Sequence, residues 1–493
     1  KKVRVFLHNF PQTLSLPWRP TWRPTWRPTT QELPPRGPRR QAQPATQRAL
    51  LHRPTAEKLL PSRARNGPAV LAARVNRRND AWTSMLYMVG TIVGAAASSH
   101  LRARLGTRRG YIWGGLILLI GTIACAIPPD MVTLLIGRFI KGVGGGLVIA
   151  QSMALIRDFY TPSIRTRILA TVSTTWSVAA LFGPGLGGVF AELEWWRGAF
   201  WGQAPFVIAF VFMASKLVPN QDDPSSQQRF PWRRLLMLAA GVLAAGLTNQ
   251  YKMPIASAGL ILIAVCLVWL TFQRDKTSDS KLFPSNALSL LTPVGLAYWS
   301  YFLISVTHTT LLIFAPLFLQ VLHNITPLLL GYLSLVFSIG WTTGSIVASG
   351  WTGKWERHGS AAGMLFASVT TIAFTFSILS GTIFWVTIWS TLIGLGIGAT
   401  NVLMTNYGMG VAREGEEAIT AGSMPTIRSL GVAFGAAAAG LVANSAGLDE
   451  GMSKETISRV AAWVLWFTAI IPAITAIICL RATSWGWKFR TGR

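Results

Sequence analysis

Arg138 and Lys141 stand one helical turn apart in MVTLLIGRFIKGVGGGLVIAQSMALIR, residues 131–157, a run long and apolar enough to cross a bilayer, for which about 20 residues suffice. A guanidinium at the centre of a spanning helix costs about 2.5–3.5 kcal/mol on insertion scales, so it persists only where it faces a protein interior or a wet cavity. A cation fixed there lowers the proton affinity of any carboxylate brought beside it and can trade with its proton. The buried charge therefore points to a pathway through the protein. Gly142, Gly144, Gly145 and Gly146 strip one flank of side chains, which lets a neighbouring helix approach closely. The alternative is an arginine snorkelling to the outer headgroups; Leu134 to Ile136, which lie outside it, count against that.

The elements that must position these residues are membrane helices. The 493-residue chain is 51% hydrophobic and 13% charged, against about 25% charged in soluble domains. Its net charge of +27 does not mark a nucleic-acid binder: residues 1–80 hold 17 Lys/Arg against three acids, and the remaining excess sits in short loops between apolar runs, as the positive-inside rule expects. Cys125, Cys266 and Cys479 all fall in apolar runs and form neither a disulfide framework nor a metal site. Six scattered histidines, without H-E-x-x-H or a phosphate-binding glycine loop, leave a membrane-embedded enzyme no catalytic constellation. No cofactor or metal is expected, and the chain is not expected to be an enzyme.

Residues 1–80, with WRPTWRPTWRPTT and many Pro and Arg, contain no run able to span. Two readings fit: a disordered basic tail or a mis-set reading frame. From Trp82 onward about 13 spans are expected, at 82–100, 111–127, 131–155, 168–190, 199–217, 233–250, 255–272, 293–320, 329–350, 361–380, 382–406, 421–446 and 459–480. Basic loops at Arg102–Arg109, Arg157–Arg167, Arg229–Arg234, Lys354–Arg357 and Lys488–Arg493 alternate with neutral or acidic ones, so the basic loops face the cytoplasm. With the first basic loop inside, the span at 82–100 enters from outside, and the basic tail would lie on the wrong side. One further span before Trp82 removes the conflict, so a first helix is expected to be missing from this sequence.

Three motifs carry a resemblance. SHLRARLGTRR places Leu101, Arg104, Gly106, Arg108 and Arg109 in a tight basic loop, with Ala103 where an acid is usual. L-x-x-x-R-x-x-q-G-x-G falls on Leu134, Arg138, Lys141, Gly142 and Gly144, with Lys replacing the usual Gln. G-P-x-x-G-G falls on Gly183, Pro184, Gly187 and Gly188, followed by Trp196, Arg197, Phe200 and Pro205 of a further stretch from which Gly198 and Gln203 depart. SLGVAFGAAAAG at 429–440 echoes the glycine-rich helix around Gly183, and GWTGKWERHG at 350–359 echoes the first basic loop, as a duplicated transporter requires. Together these resemble the major facilitator superfamily, in its drug:proton antiporter branch with fourteen spans.

The resemblance implies an all-α polytopic membrane protein made of two pseudo-symmetric helical bundles and two extra linking helices. The bundles would be residues 81–220 and 291–482, the linking helices lie within 221–290, and 483–493 form a basic cytoplasmic tail. It implies proton-coupled efflux of drugs or other amphipathic small molecules by alternating access, from a monomer in the plasma (inner) membrane, with protons, a small-molecule substrate and the lipid bilayer as its partners. In that family Arg138 and Lys141 would couple protons, the basic loop would gate, and the Gly183–Gly188 motif would mark an antiporter. Candidate substrate-lining residues are Gln151, Trp176, Tyr298, Trp299, Tyr301, His308 and Asn401. A metabolite importer of the same fold and a non-functional truncated remnant are the alternatives. The branch's membrane-buried acid in a first helix has no counterpart among these spans.

Overall fold

The computed structural model describes residues 68–493, except 129, 194, 220–229, 249–253, 326, 353, 449–451 and 492–493. The expectations for residues 1–67 lie outside the described residues. Helix α1 (Pro68–Leu105) begins well before Trp82, so residues 68–80, assigned above to the tail, are helical. It is followed by α2 (Thr107–Ala126), α3 (Met131–Phe159), α4 (Pro162–Glu192), the single turn α5 (Gly198–Trp201) and α6 (Ala204–Leu217). The linking pair is α7 (Trp232–Leu247) and α8 (Pro254–Lys276). Then come α9 (Pro293–His323), α10 (Pro327–Ser349), α11 (Lys354–Ser380), α12 (Ile383–Gly410), α13 (Glu417–Ser445) and α14 (Lys454–Thr491).

The termini obey local chemistry. Asp130 caps α3 by accepting from Thr133 N at 2.7 Å, and Thr292 caps α9 with Pro293 behind it, satisfying donors that the first turn leaves orphaned. Asn324 closes α9 in the left-handed region, the role a C-terminal cap gives to Gly or Asn.

Each expected span falls on a helix, with 199–217 divided between α5 and α6. By length and apolarity alone, ten helical segments among the described residues are able to cross a membrane, fewer than the 13 expected. The shortfall has a physical source. α7 has 16 residues, and the spanning stretches of α1 and α4 are rich in Gly, Ser and Thr, the composition of helices that pack on other helices rather than on lipid.

Packing within each half is organised by glycine. α3 carries Gly142, Gly144 and Gly146; α12 carries Gly394, Gly396 and Gly398. Gly142 and Gly146 press on the backbone of Tyr87 and Thr91 of α1, and Gly90 and Gly94 of α1 press back on Phe139 and Val143. In the second half Gly394 and Gly398 meet the backbone of Phe337 and Trp341 of α10, while Gly340 and Gly344 meet Thr391 and Leu395. The intermediate glycines face the other way: Gly144 lies on Leu118 of α2 and Gly396 on Gly363 and Ala367 of α11. Each half is thus a three-helix sandwich around one glycine-faced helix. The close backbone approach replaces side-chain burial with dispersion and weak Cα–H···O contacts.

α9 completes the second half by seating on Gly431 and Gly435 of α13, which lie against Phe302, Ser305 and Val306. The echo of α13 in the first half is α4, where nothing approaches within 4 Å of the Cβ position of Gly183. Among the described residues no helix takes the corresponding seat.

One hydrophobic core joins both halves and the linking helices. It includes Ile92 of α1, Leu169 of α4, Leu238 of α7, Phe283 of the α8–α9 loop, Tyr298 of α9, Leu403 of α12 and Met424 of α13. A second lies within the second half, around Phe318, Met364, Ile393 and Leu465.

A side chain at a crossing glycine meets backbone rather than a movable neighbour, and overpacking costs about 1–3 kcal/mol even where neighbours can shift. Gly146→Leu and Gly344→Leu should each lower the melting temperature in detergent sharply or abolish a monodisperse peak on size exclusion. Gly259→Ala, with no atom within 4 Å of its Cβ position, should leave both unchanged.

Candidate functional site

Arg138 and Lys141 meet the same aromatic ring. The guanidinium carbon of Arg138 and Nζ of Lys141 each lie 5.0 Å from the centroid of Phe200, on α5. Lys141 is buried and donates to Gln203 Oε1 at 2.6 Å, while Gln203 Nε2 donates to the Ala199 carbonyl at 3.0 Å. The Nε of Arg138 is buried without a hydrogen-bond partner. Phe200 closes the site below Cys125, Ala126 and Leu134. Lys141 and Gln203 are both departures from the pattern their motifs resemble, and in space they bond to each other. The ion pairs of the described residues are Arg102–Asp158, Arg234–Asp275 and Lys281–Glu416, so no carboxylate faces Arg138 or Lys141.

In the second half a cavity of about 140 Å³ opens between α9, α10, α11 and α12, lined by His308, Pro316, Ser334, Phe337, Ser338 and Ser390 among others. The His308 ring lies 5.4 Å from Phe337 and 5.2 Å from Trp341. Arg428 lies inside α13. Arg428 was missed as a site residue, although the argument that singles out Arg138 applies equally to an arginine within the expected span at 421–446.

Of the other substrate candidates, Gln151 is buried and donates to the Gly110 carbonyl at 3.2 Å, joining α2 to α3. Tyr298 donates to the Thr420 carbonyl at 2.9 Å and pairs with Ser423 at 2.7 Å, clamping α9 to α13. Trp299 donates to the Leu288 carbonyl at 3.0 Å, and Tyr301 lies in the shared core. Asn401 is half-buried on α12. Trp176 lies on α4, but its side chain falls outside the described residues, as do those of Pro184, Gly187 and Gly188. The structure brings together Arg138 and Lys141 and places His308 on a cavity; among the described side chains it does not gather Gln151, Tyr298, Trp299, Tyr301 or Asn401 there.

The Major Facilitator Superfamily profile matches residues 74–436. This chain belongs to the Major Facilitator Superfamily. It is 29% identical over 395 residues to a protein of Mycobacterium tuberculosis named a probable multidrug-efflux transporter, covering 77% of this chain and 83% of that one. It is 24% identical over 372 residues to the drug efflux pump JefA of the same organism, covering 73% and 72%. Its fold resembles the human organic anion transporter MFSD10, with a TM-score of 0.58, 16% identity and coverage of 81% and 82%. It also resembles the proton:xylose symporter XylE, with a TM-score of 0.54, 15% identity and coverage of 83% and 85%. The protein is a multi-pass membrane transporter of the plasma membrane and not an enzyme.

The basic loops of this superfamily member are held by specific pairs. Gly106 adopts a φ of 77° between α1 and α2, a region that favours glycine, so α2 can turn back on α1. Leu101 is half-buried, Arg104 and Arg109 are exposed, and Arg108 donates to the Ser215 carbonyl of α6. The acid absent at Ala103 is supplied from elsewhere: Arg102 pairs with Asp158 of α3 at 2.5 Å and donates to Thr107 at 3.1 Å. In the linking region Arg234 pairs with Asp275, whose carboxylate also accepts from Leu282 N and Phe283 N, both at 2.9 Å. Lys281 reaches Glu416 at 2.9 Å, and Ser285 N donates to the same carboxylate at 2.9 Å, tying the α8–α9 loop to the start of α13.

Burial pushes the Glu416 carboxyl up, but the hydrogen bonds from Ser285 and Lys281 outweigh it and hold it below its usual value. A depressed carboxylate contributes stability that is present above its unfolded value, about 4.3, and is lost as pH falls through the folded one. Thermal stability should therefore decline on acidification below about pH 4.3, and Glu416→Gln should be less stable at neutral pH with a shallower acid decline. Parallel profiles for the two proteins would contradict this.

Proposed function

We propose that this protein exports amphipathic small molecules, drugs among them, in exchange for protons, by alternating access between two rocking halves. The observation that carries the reading is where the halves touch. Ser177 of α4 donates to the Ser338 carbonyl of α10 at 2.7 Å and meets Thr342 at 2.5 Å, Thr342 donates to the Ser173 carbonyl at 3.2 Å, and Thr166 donates to the Ser349 carbonyl at 3.3 Å. Gly422 of α13 approaches Ser98 of α1 and Ala150 of α3. With the basic loops inside, these contacts run from the cytoplasmic ends of the helices toward the middle of the bilayer. They support a cytoplasm-closed state of a two-body transporter. Hydroxyl-to-carbonyl bonds of this kind are worth about 0.5–1.5 kcal/mol each, weak enough to break in a cycle.

The efflux direction is supported by the curated relatives and by the Gly-Pro motif of α4. Proton coupling is assigned to Arg138 and Lys141. Held beside a substrate or side-chain acid, their charges favour its ionised form and release its proton, so occupancy by proton and by anion alternate. Arg138→Ala should insert and fold, judged by yield and size exclusion, and should lose proton-driven efflux of a fluorescent amphipathic dye by at least about tenfold. Unchanged proton-driven efflux would remove Arg138 from the coupling role.

A further inference from the structure

Arg138 and Lys141 place two positive charges inside the membrane with no carboxylate to match them. Lys141, 8% exposed, has one neutral acceptor in Gln203 Oε1. Arg138 has the face of Phe200, and its buried Nε has no acceptor. A ring face attracts a cation only modestly, whereas a buried charge left without a counter-charge is strongly unfavourable. The ring therefore does not compensate the site. A guanidinium presents five donors in a planar fork that fits carboxylate and phosphate oxygens, and here that fork faces no described acceptor.

The rest of the interior has the same sign. Every described Asp and Glu lies at a helix end or in a loop, apart from Asp80, which precedes the apolar stretch of α1. Arg428 adds a third cation within α13, in the other half. An interior lined by one sign of charge concentrates ligands of the other. Lys141 and Gln203, both departures from the motifs this chain otherwise resembles, bond to each other.

We propose that Arg138 and Lys141, with Phe200 as an apolar wall, form a subsite for the anionic oxygen group of an amphipathic acid. This rests on the transporter reading and names its substrate class: organic anions rather than lipophilic cations. The group, a carboxylate or a phosphate, reaches the subsite on a transported acid or on the headgroup of an anionic phospholipid, and the recognising chemistry is the same.

The test uses the full chain in nanodiscs of phosphatidylcholine, with and without phosphatidylglycerol, and equilibrium binding of tritiated 1-naphthaleneacetate and its neutral amide. In phosphatidylcholine the wild-type chain should bind the acid at least about tenfold more tightly than the amide. Arg138→Gln and Lys141→Gln should each reduce that ratio to below about threefold while leaving amide binding intact, and Arg138→Lys, which keeps the charge but loses the fork, should fall between wild type and Arg138→Gln. If the acid is the ligand, phosphatidylglycerol leaves the ratio unchanged. If a headgroup is the ligand, phosphatidylglycerol collapses the ratio, and native mass spectrometry finds that lipid retained by wild type and lost from Arg138→Gln. Equal affinity for acid and amide, with no retention of phosphatidylglycerol over phosphatidylcholine, overturns the subsite, as does a ratio that survives both Gln substitutions. A chain that prefers the cationic 1-naphthalenemethylamine and transports it overturns the subsite and leaves export standing. A chain that binds the acid selectively but moves nothing across vesicles supports the subsite and overturns export.

Discussion

Backbone pressed on backbone at glycine crossings is the constraint on which the rest of this protein depends. In lipid no hydrophobic force draws helices together, because the tails outside are as apolar as the side chains inside, so association rests on close packing. α3 and α12 meet that demand with the same G-x-G-x-G spacing, at Gly142, Gly144 and Gly146 and at Gly394, Gly396 and Gly398. Glycines four apart share a face and grip α1 or α10; the one between them turns to α2 or α11. Within each half the packing is backbone on backbone, whereas α4 and α10 are joined across the halves by hydroxyl bonds, the contacts that the proposed cycle would break.

Charge follows from that scaffold. Arg138 and Lys141 are next to the glycine face of α3, and their depth is set by the packing of α3 on α1 and α2. Once those helices are locked the cations cannot withdraw to water, and Phe200 and Gln203 are what the fold offers them. At the cytoplasmic face, by contrast, cations meet acids: Arg102 with Asp158, Arg234 with Asp275 and Lys281 with Glu416. Paired charge at the loops secures the architecture, while Arg138 and Lys141 have no described acid beside them.

Much of this was legible in the sequence. Hydropathy located the helices, and the sequence around Arg138 already placed two cations one turn apart inside an apolar run. Three things were not legible, for separable reasons. The tail boundary was set too late because α1 continues as a helix outside the apolar stretch, back to Pro68, where hydropathy has no signal. The partner of Arg102 was not legible because it is not local: Asp158 reaches it from another helix. Aromatic and amide residues were gathered as substrate candidates by type, but the Tyr298 hydroxyl and the Gln151 amide nitrogen are spent on neighbouring backbone, while Gln151 Oε1 is left buried without a partner. Arg428 and the repeated G-x-G-x-G, by contrast, stood in the sequence throughout: the first yields to the cost of a buried guanidinium, the second to aligning the two halves.

The most direct test of two glycine-locked bodies rocking about α4 and α10 is a pair of spin-label distances by double electron–electron resonance, in a chain whose exposed Cys266 is replaced. Labels at Arg109 and Trp355 report the cytoplasmic side, and labels at Leu193 and Phe384 report the outer side, all at exposed positions. Acidification or added amphipathic ligand should shift the two distances in opposite directions, while a control pair within one half, Trp355 and Phe384, stays fixed. Cytoplasmic and outer distances that change together, or a within-half distance that changes as much as those between halves, would contradict the account.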